Sequence, residues 1–357
     1  MLIINTDSVM NVFLTIDYEL FLGEKTGTPE NCLILPTKCF VKMLDKFNVK
    51  ATVFVDAAYL LRLFQLKDTF HTLSKDYSIV CDNILELSDK GHDIELHFHP
   101  QWINSLYNSR NWELKSKQYK LSNLPREIAL NSLAESKNLL ESIIGRQIHA
   151  FRAGGFSLDT FDNYIQFFNN NNITIDSSVL RGEYIDSYLH SYDYRNIPNK
   201  TLYSFSSQIN CEDPNGKFIE LSISTFPINS IHYLIKNKFA EFIFDSKLAW
   251  GDGLGIGYGN FSNKLEQKIK KLFRGMNLSA SMENFSSLLL PYVFSKFTST
   301  IDDTNFVAIG HPKVFSQGSI QQVEKFIMKI IDSNVFMTCS DIIRNTNVGD
   351  MNNDKST

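Results

Sequence analysis

Val12-Phe13-Leu14-Thr15-Ile16-Asp17-Tyr18-Glu19 is the stretch from which the rest of the chain is read. From Val12 to Ile16 every residue is apolar or β-branched, the pattern of a buried strand. The run stops on carboxylates. Side chains at i and i+2 of a strand leave the same face, so Asp17 and Glu19 aim at one point. In a parallel α/β fold, functional groups collect at the carboxyl ends of strands. Two acids there suit a general base beside a metal ligand, although two solvated acids capping a turn would give the same residues.

Working outward, strand-like and helix-like stretches alternate. Strands are expected at 51–55, 93–98, 149–152, 173–175, 218–224, 306–309 and 335–338, and helices at 37–47, 84–90, 124–144, 158–168 and 323–331. Phe40, Leu44 and Phe47 fall at helical spacing, and Gly91 and Gly145 stand where C-terminal caps belong. Such alternation implies a mostly parallel sheet, and the number of units implies a distorted (β/α) barrel of about seven strands. The stretch 227–305 fits the alternation least and is expected to be an insertion between late strands; its apolar run Leu288-Leu289-Leu290 is broken by Pro291. Residues 1–345 are expected to form a single domain, followed by a polar, flexible tail at 346–357.

Three more strand ends carry reactive side chains. His97 and His99 share a face, as Asp17 and Glu19 do, and paired imidazoles bind zinc and similar ions well. Trp102, just beyond, can wall a sugar-sized pocket or simply pack. Arg152 can orient a carboxylate, and Gly154-Gly155 lets the backbone approach a ligand. His311, just past another strand, is a candidate general acid. Chance histidines and an ordinary salt-bridged arginine are the plainer readings. No Gly-x-Ser-x-Gly elbow or phosphate-binding Walker sequence occurs, and the alternating glycines from Gly251 to Gly259 do not match the dinucleotide pattern. They read as a loop, either a lid over the site or a plain connection.

Composition narrows the partners. The 357 residues are 43% apolar, with 35 basic against 39 acidic side chains and a net charge of −4. That balance disfavours nucleic acid and anionic membrane surfaces. The apolar runs are too short for a membrane span, and the N-terminus lacks a leader pattern. Five scattered cysteines without a Cys-x-x-Cys pattern fit a reducing cytoplasm.

The order of these motifs resembles the polysaccharide deacetylase family (NodB-homology, carbohydrate esterase 4). Thr15-Ile16-Asp17-Tyr18-Glu19 is similar to its T-F-D-D-G motif, and Gly91-His92-Asp93-Ile94-Glu95-Leu96-His97 to the segment leading to a metal-binding histidine. Phe151-Arg152-Ala153-Gly154-Gly155 resembles R-x-P-x-G, Ile175-Asp176-Ser177-Ser178-Val179 resembles Y-D-S-S-V, and Ile309-Gly310-His311-Pro312 resembles the last motif. The resemblance implies metal-dependent removal of an acyl group, such as N-acetyl, from a sugar or glycan precursor. In that scheme Asp17 is the general base, Arg152 holds it, and His311 protonates the leaving amine. The family's second aspartate is Tyr18 here and its second histidine is Gln101; Glu19 and His99 are the natural replacements, giving the ligand set Glu19, His97 and His99. The metal would be divalent, zinc first, with cobalt, nickel, iron or manganese as alternatives. Trp102, Gly155 and Asp176 are the candidate substrate-binding residues. Other readings are a hydrolase of another C–N bond, a sugar-binding pseudoenzyme on the same barrel, and a glycosidase, which would leave the histidines unexplained.

Overall fold

The computed structural model describes residues 9–158, 161–186, 190–228, 249–255 and 276–345. Among these residues, nine strands share one sheet: β1 (Asn11–Tyr18), β2 (Thr52–Asp56), β3 (Asp93–Phe98), β4 (Ala150–Ala153), β5 (Ile175–Asp176), β6 (Leu202–Phe205), β7 (Phe218–Leu221), β8 (Asn305–Gly310) and β9 (Val335–Met337). Seven of them run parallel in the spatial order β7-β5-β4-β3-β2-β1-β8. β9 pairs in parallel with Asn11–Phe13, where β2 does not reach. β6, which the sequence pattern did not reveal, lies antiparallel on β7.

The sheet nearly closes. Beyond β7, the Ser224 amide donates to Val307 O at 3.1 Å. The segment 280–282 then fills the seam, with Ala280 N donating to Ser224 O at 2.8 Å and Met282 N to Ile309 O at 2.8 Å. The part of 227–305 expected as an insertion thus contributes at its end to barrel closure.

Helices cover the outside: α1 (Leu35–Asp45), α2 (Ala57–Leu66), α3 (His71–Asp89), α4 (Arg126–Ile144), α5 (Ile165–Asn170), α6 (Ser286–Thr300) and α7 (Gln317–Ile330). α4 ends at Gly145, whose φ of +67° is the left-handed cap the sequence implied. α7 begins with a reciprocal cap between Ser316 and Ser319, six residues before the expected start at 323. The expected helix at 158–168 is instead a short turn at Phe161–Asn163 and the single-turn α5, with residues 159–160 outside the described part. α6, a helix the sequence pattern did not reveal, runs through Pro291. An interior proline costs roughly 3 kcal/mol of helix propensity. Burial of Leu290, Val293, Phe294 and Phe297, with Phe294 packed 4.9 Å from the Phe306 ring, offsets it.

Two apolar clusters result. The larger lies between strands and helices, and a smaller one including Phe13, Phe54, Ala150, Ile175, Val307 and Ile309 fills the barrel interior. Alternation along each strand then dictates which side chains stand above that inner plug. Phe13 leads to Thr15 and Asp17, Phe54 to Asp56, and Ala150 to Arg152. The tail at 346–357 and residues 256–259 of the glycine run lie outside the described residues.

Candidate metal centre

Arg152 organises the mouth of the barrel from below. It is fully buried, lies over the Phe54 ring at 4.1 Å, and uses its whole fork. Nη1 donates to Asp17 Oδ1 at 2.6 Å, Nη2 to Ser177 Oγ at 2.8 Å and Thr15 Oγ1 at 3.1 Å, and Nε to Ser177 O at 2.9 Å. Burial favours a protonated Asp17, but the Arg152 guanidinium, with His97 and His311 behind it, holds the carboxyl below its usual range. Asp17 is therefore held as a carboxylate in a fixed position.

Beside it, the structure brings Glu19, His97 and His99 together: one ligand atom from each lies within 4.8 Å of the others, and all three side chains are buried. His97 Nδ1 donates to Arg152 O at 2.8 Å, and Nε2, the atom that would bind a metal, faces Glu19 Oε2 at 3.2 Å. His99 Nε2 contacts the same carboxylate oxygen, and neither of its ring nitrogens has a hydrogen-bond partner. Two imidazole nitrogens and a carboxylate oxygen converging in a buried site fit a divalent ion of zinc type. Burial opposes ionisation of Glu19 as well, yet Lys313 and His99 hold it well below the ordinary carboxylate range.

The two departures from the familiar motifs have structural causes. β1 stays regular through Tyr18, so Tyr18 turns outward and donates to Asn83 Oδ1 on α3 at 3.0 Å. Glu19 then comes back to the inner side. Gln101 is fully buried in the turn Pro100–Trp102 and is not among the clustered donors.

His311 completes the ring from the opposite side. Its Nε2 lies 3.5 Å from Asp17 Oδ2 and 3.5 Å from Glu19 Oε1, and its Nδ1 contacts Glu283 Oε1. Burial works against the charged imidazole, but Glu283, then Asp17 and Glu19, raise it to about 9. With 22% of its side chain exposed it faces solvent more than the other members do.

The remaining candidates fall elsewhere or play a different part. Trp102 is fully buried between the rings of Tyr59 and Trp112, at 4.7 and 5.3 Å, so it walls no open pocket; it packs the core beneath the site. Asp176 points to the outer face of β5, where it accepts from Ser178 N and Oγ and shares a buried environment with Glu220 on β7. Burial pushes both carboxyls up, Glu220 well above its usual range, so the pair keeps a proton. Gly154 lines the centre closely, and Gly155 lies beside it against Tyr119. A Cβ on Gly154 would stand 2.5 Å from His99 Nδ1, and Gly155, at φ +58°, presents its backbone to Tyr119. The described part of the glycine run is docked rather than loose: Trp250 N donates to Phe315 O at 3.0 Å, Leu254 N to Lys25 O at 2.7 Å, and Asp252 receives Thr28 N at 2.8 Å.

Three functional groups escaped the sequence reading. Lys313 donates to Glu19 Oε1 at 2.7 Å and to Leu20 O at 3.0 Å. Glu283 follows the closing segment, inside the stretch read as an insertion, and no local pattern marks it. Asp56 ends β2 one residue beyond the apolar run and obeys the same strand-end rule as Asp17, which could have found it. It is 1% exposed, accepts His99 N at 3.2 Å, and burial pushes its carboxyl up.

No family model and no curated protein matches the chain by sequence. Its fold is similar to that of solved structures. A candidate polysaccharide deacetylase from Mycobacterium smegmatis aligns over 97% of this chain and 93% of its own, with 11% identity and a TM-score of 0.49. The peptidoglycan deacetylase PdaC from Bacillus subtilis aligns over 97% and 96%, with 9% identity and a TM-score of 0.40. PuuE allantoinase aligns over 94% and 89%, with 11% identity and a TM-score of 0.46. At these distances only the side chains of this chain speak to its chemistry.

Proposed function

We propose that the protein is a divalent-metal-dependent hydrolase that removes an acyl group, N-acetyl first, from a sugar or glycan precursor, with a role in surface polysaccharide synthesis. The observation that carries this reading is the position of Asp17. Pinned by Arg152, it stands between the three clustered donors and His311, 4.0 Å from His97 Nε2 and 3.5 Å from His311 Nε2. Glu19, His97 and His99 would hold the metal, which supplies Lewis acidity toward the acyl oxygen and the attacking water. Asp17 Oδ2 takes the proton of that water. His311 keeps a proton on Nε2 at neutral pH, since Glu283 engages Nδ1, and delivers it to the departing amine. All five cysteines are free thiols, which supports a reducing, cytoplasmic setting.

Release of acetate and a free amine from a panel of N-acetylated monosaccharides, nucleotide sugars and oligosaccharides, with zinc, cobalt or nickel added, tests the proposal. Metal-loaded protein should release both, and Asp17→Asn should release neither. Lys313 is the observation that favours a second reading, a sugar-binding pseudoenzyme, because its ammonium already answers Glu19. Purified protein that takes up no cation, yet binds sugar, would decide for that alternative.

A further inference from the structure

Each carboxylate at the mouth of the barrel but one has a cationic side chain against it. Asp17 has Arg152, Glu19 has Lys313 and Glu283 has His311. Asp56 has no such partner within 4 Å among the described residues, although it is 1% exposed and its Oδ2 makes no hydrogen bond. An isolated buried carboxylate is costly: burial drives Asp56 toward its neutral form, and a cation held beside it would favour its charge.

Asp56 also forgoes the role its position offers. It stands at the N-cap of α2, where an aspartate ordinarily accepts an amide of the first helical turn, and it makes no such bond. Its Oδ1 turns instead to the amide of His99 at 3.2 Å. Its Cα is paired in register with that of His97 on the neighbouring strand. The carboxylate is thus attached to one proposed ligand and adjacent to another. It lies on the inner face with them, and among the described residues only the His99 and His97 rings, beyond 4 Å, oppose its charge.

We infer that Asp56 is the outer acid of the metal centre, a positioning residue that fixes the main chain of His99 and supplies the buried negative charge answering a divalent cation held by Glu19, His97 and His99. The inference rests on the metal reading of that cluster. Groups of this kind orient the ligands and raise their affinity, and their loss costs about 10–100-fold in metal binding.

The test compares the full-length protein with Asp56→Asn and Asp56→Glu, each stripped of metal and titrated with Zn²⁺ against a competing chelator. Asn keeps an oxygen for the His99 amide and removes only the charge; Glu keeps the charge. Expected are a 10–100-fold loss of Zn²⁺ affinity in Asp56→Asn, at most a few-fold loss in Asp56→Glu, and a metal-free Asp56→Asn at least as stable to urea as the parent. If Asp56→Asn fails to fold, Asp56→Ser serves the same comparison. A neutral variant that binds within twofold of the parent overturns this inference alone. A parent protein that binds no cation overturns the metal reading, and this inference falls with it.

Discussion

Removing both partners of the Asp17–Arg152 pair should cost clearly less than the two single removals added together. Arg152 is fully buried and Asp17 nearly so, and Nη1 and Oδ1 are 2.6 Å apart. Arg152→Met leaves the Asp17 carboxylate in a dry site without its counter-charge, which costs about 3–5 kcal/mol. It also strips a donor from Ser177 O, which adds about 1 kcal/mol. Asp17→Asn leaves a buried guanidinium still bonded to Ser177 and Thr15, so its cost belongs near the lower end, about 3 kcal/mol. In Asp17→Asn/Arg152→Met neither charge is stranded. The double variant should then be about 2–3 kcal/mol more stable than the sum of the single losses predicts. Equilibrium urea unfolding of metal-free protein at pH 7 measures all four corners of the cycle without any substrate. A coupling below about 0.5 kcal/mol, the level at which independent sites simply add, would refute the view that Arg152 exists to hold Asp17.

Other outcomes rest on the same geometry. The neutral His92 ring accepts the Ala51 amide on Nδ1, and burial, with Lys50 nearby, lowers its pKa to about 4 from 6.5. The stabilisation is complete above the unfolded value and fades as pH falls toward the folded one. About 3 kcal/mol should thus be lost between pH ~6.5 and ~4, and His92→Gln should flatten that part of the stability profile. In Glu283→Gln, His311 loses its strongest charge partner, and its pKa should drop from about 9 toward 6.5. An acid catalyst is inactive once deprotonated, so the alkaline fall in activity should move toward neutrality; an NMR titration of His311 showing no movement would exclude the coupling. Gly154→Ala places a methyl 2.5 Å from His99 Nδ1 and 2.7 Å from Phe98 O, so the ring must shift. Zinc affinity should fall about tenfold or more, and unchanged affinity would mean His99 is not a ligand.

The parallel barrel was legible because several strands, β1, β2 and β8 among them, are apolar runs followed by polar groups. β1, β3 and β8 match their expected spans to within two residues at either end. Asp17 with Glu19, and His97 with His99, came from period-two alternation, and Arg152 and His311 from their places at strand ends. What failed has physical reasons. α6 escaped because Pro291 lowers local helix preference, and an aromatic layer outweighs it. Trp102 resembles a binding-site aromatic because sequence does not show that Tyr59 and Trp112 enclose it. Asp176 shares a motif with Ser177, yet one residue along a strand is the opposite face. Glu283 is invisible because it reaches His311 through the seam of the barrel, a tertiary feature with no sequence period.

That seam has a consequence for how the chain is made. β1 sits between β2 and β8, and its bond from Thr15 to Ala308 spans 293 residues. Asp17, Glu19, His97, His99 and Arg152 are all synthesised in the first half of the protein, while the strand that covers the far edge of β1 and carries His311 arrives near its end. Until then β1 presents an unpaired, apolar edge, the kind of surface that recruits other chains. Nascent chains halted before residue 300 should accordingly be lost from the soluble fraction or held by chaperones; if they stayed monomeric, another segment would have to shield that edge.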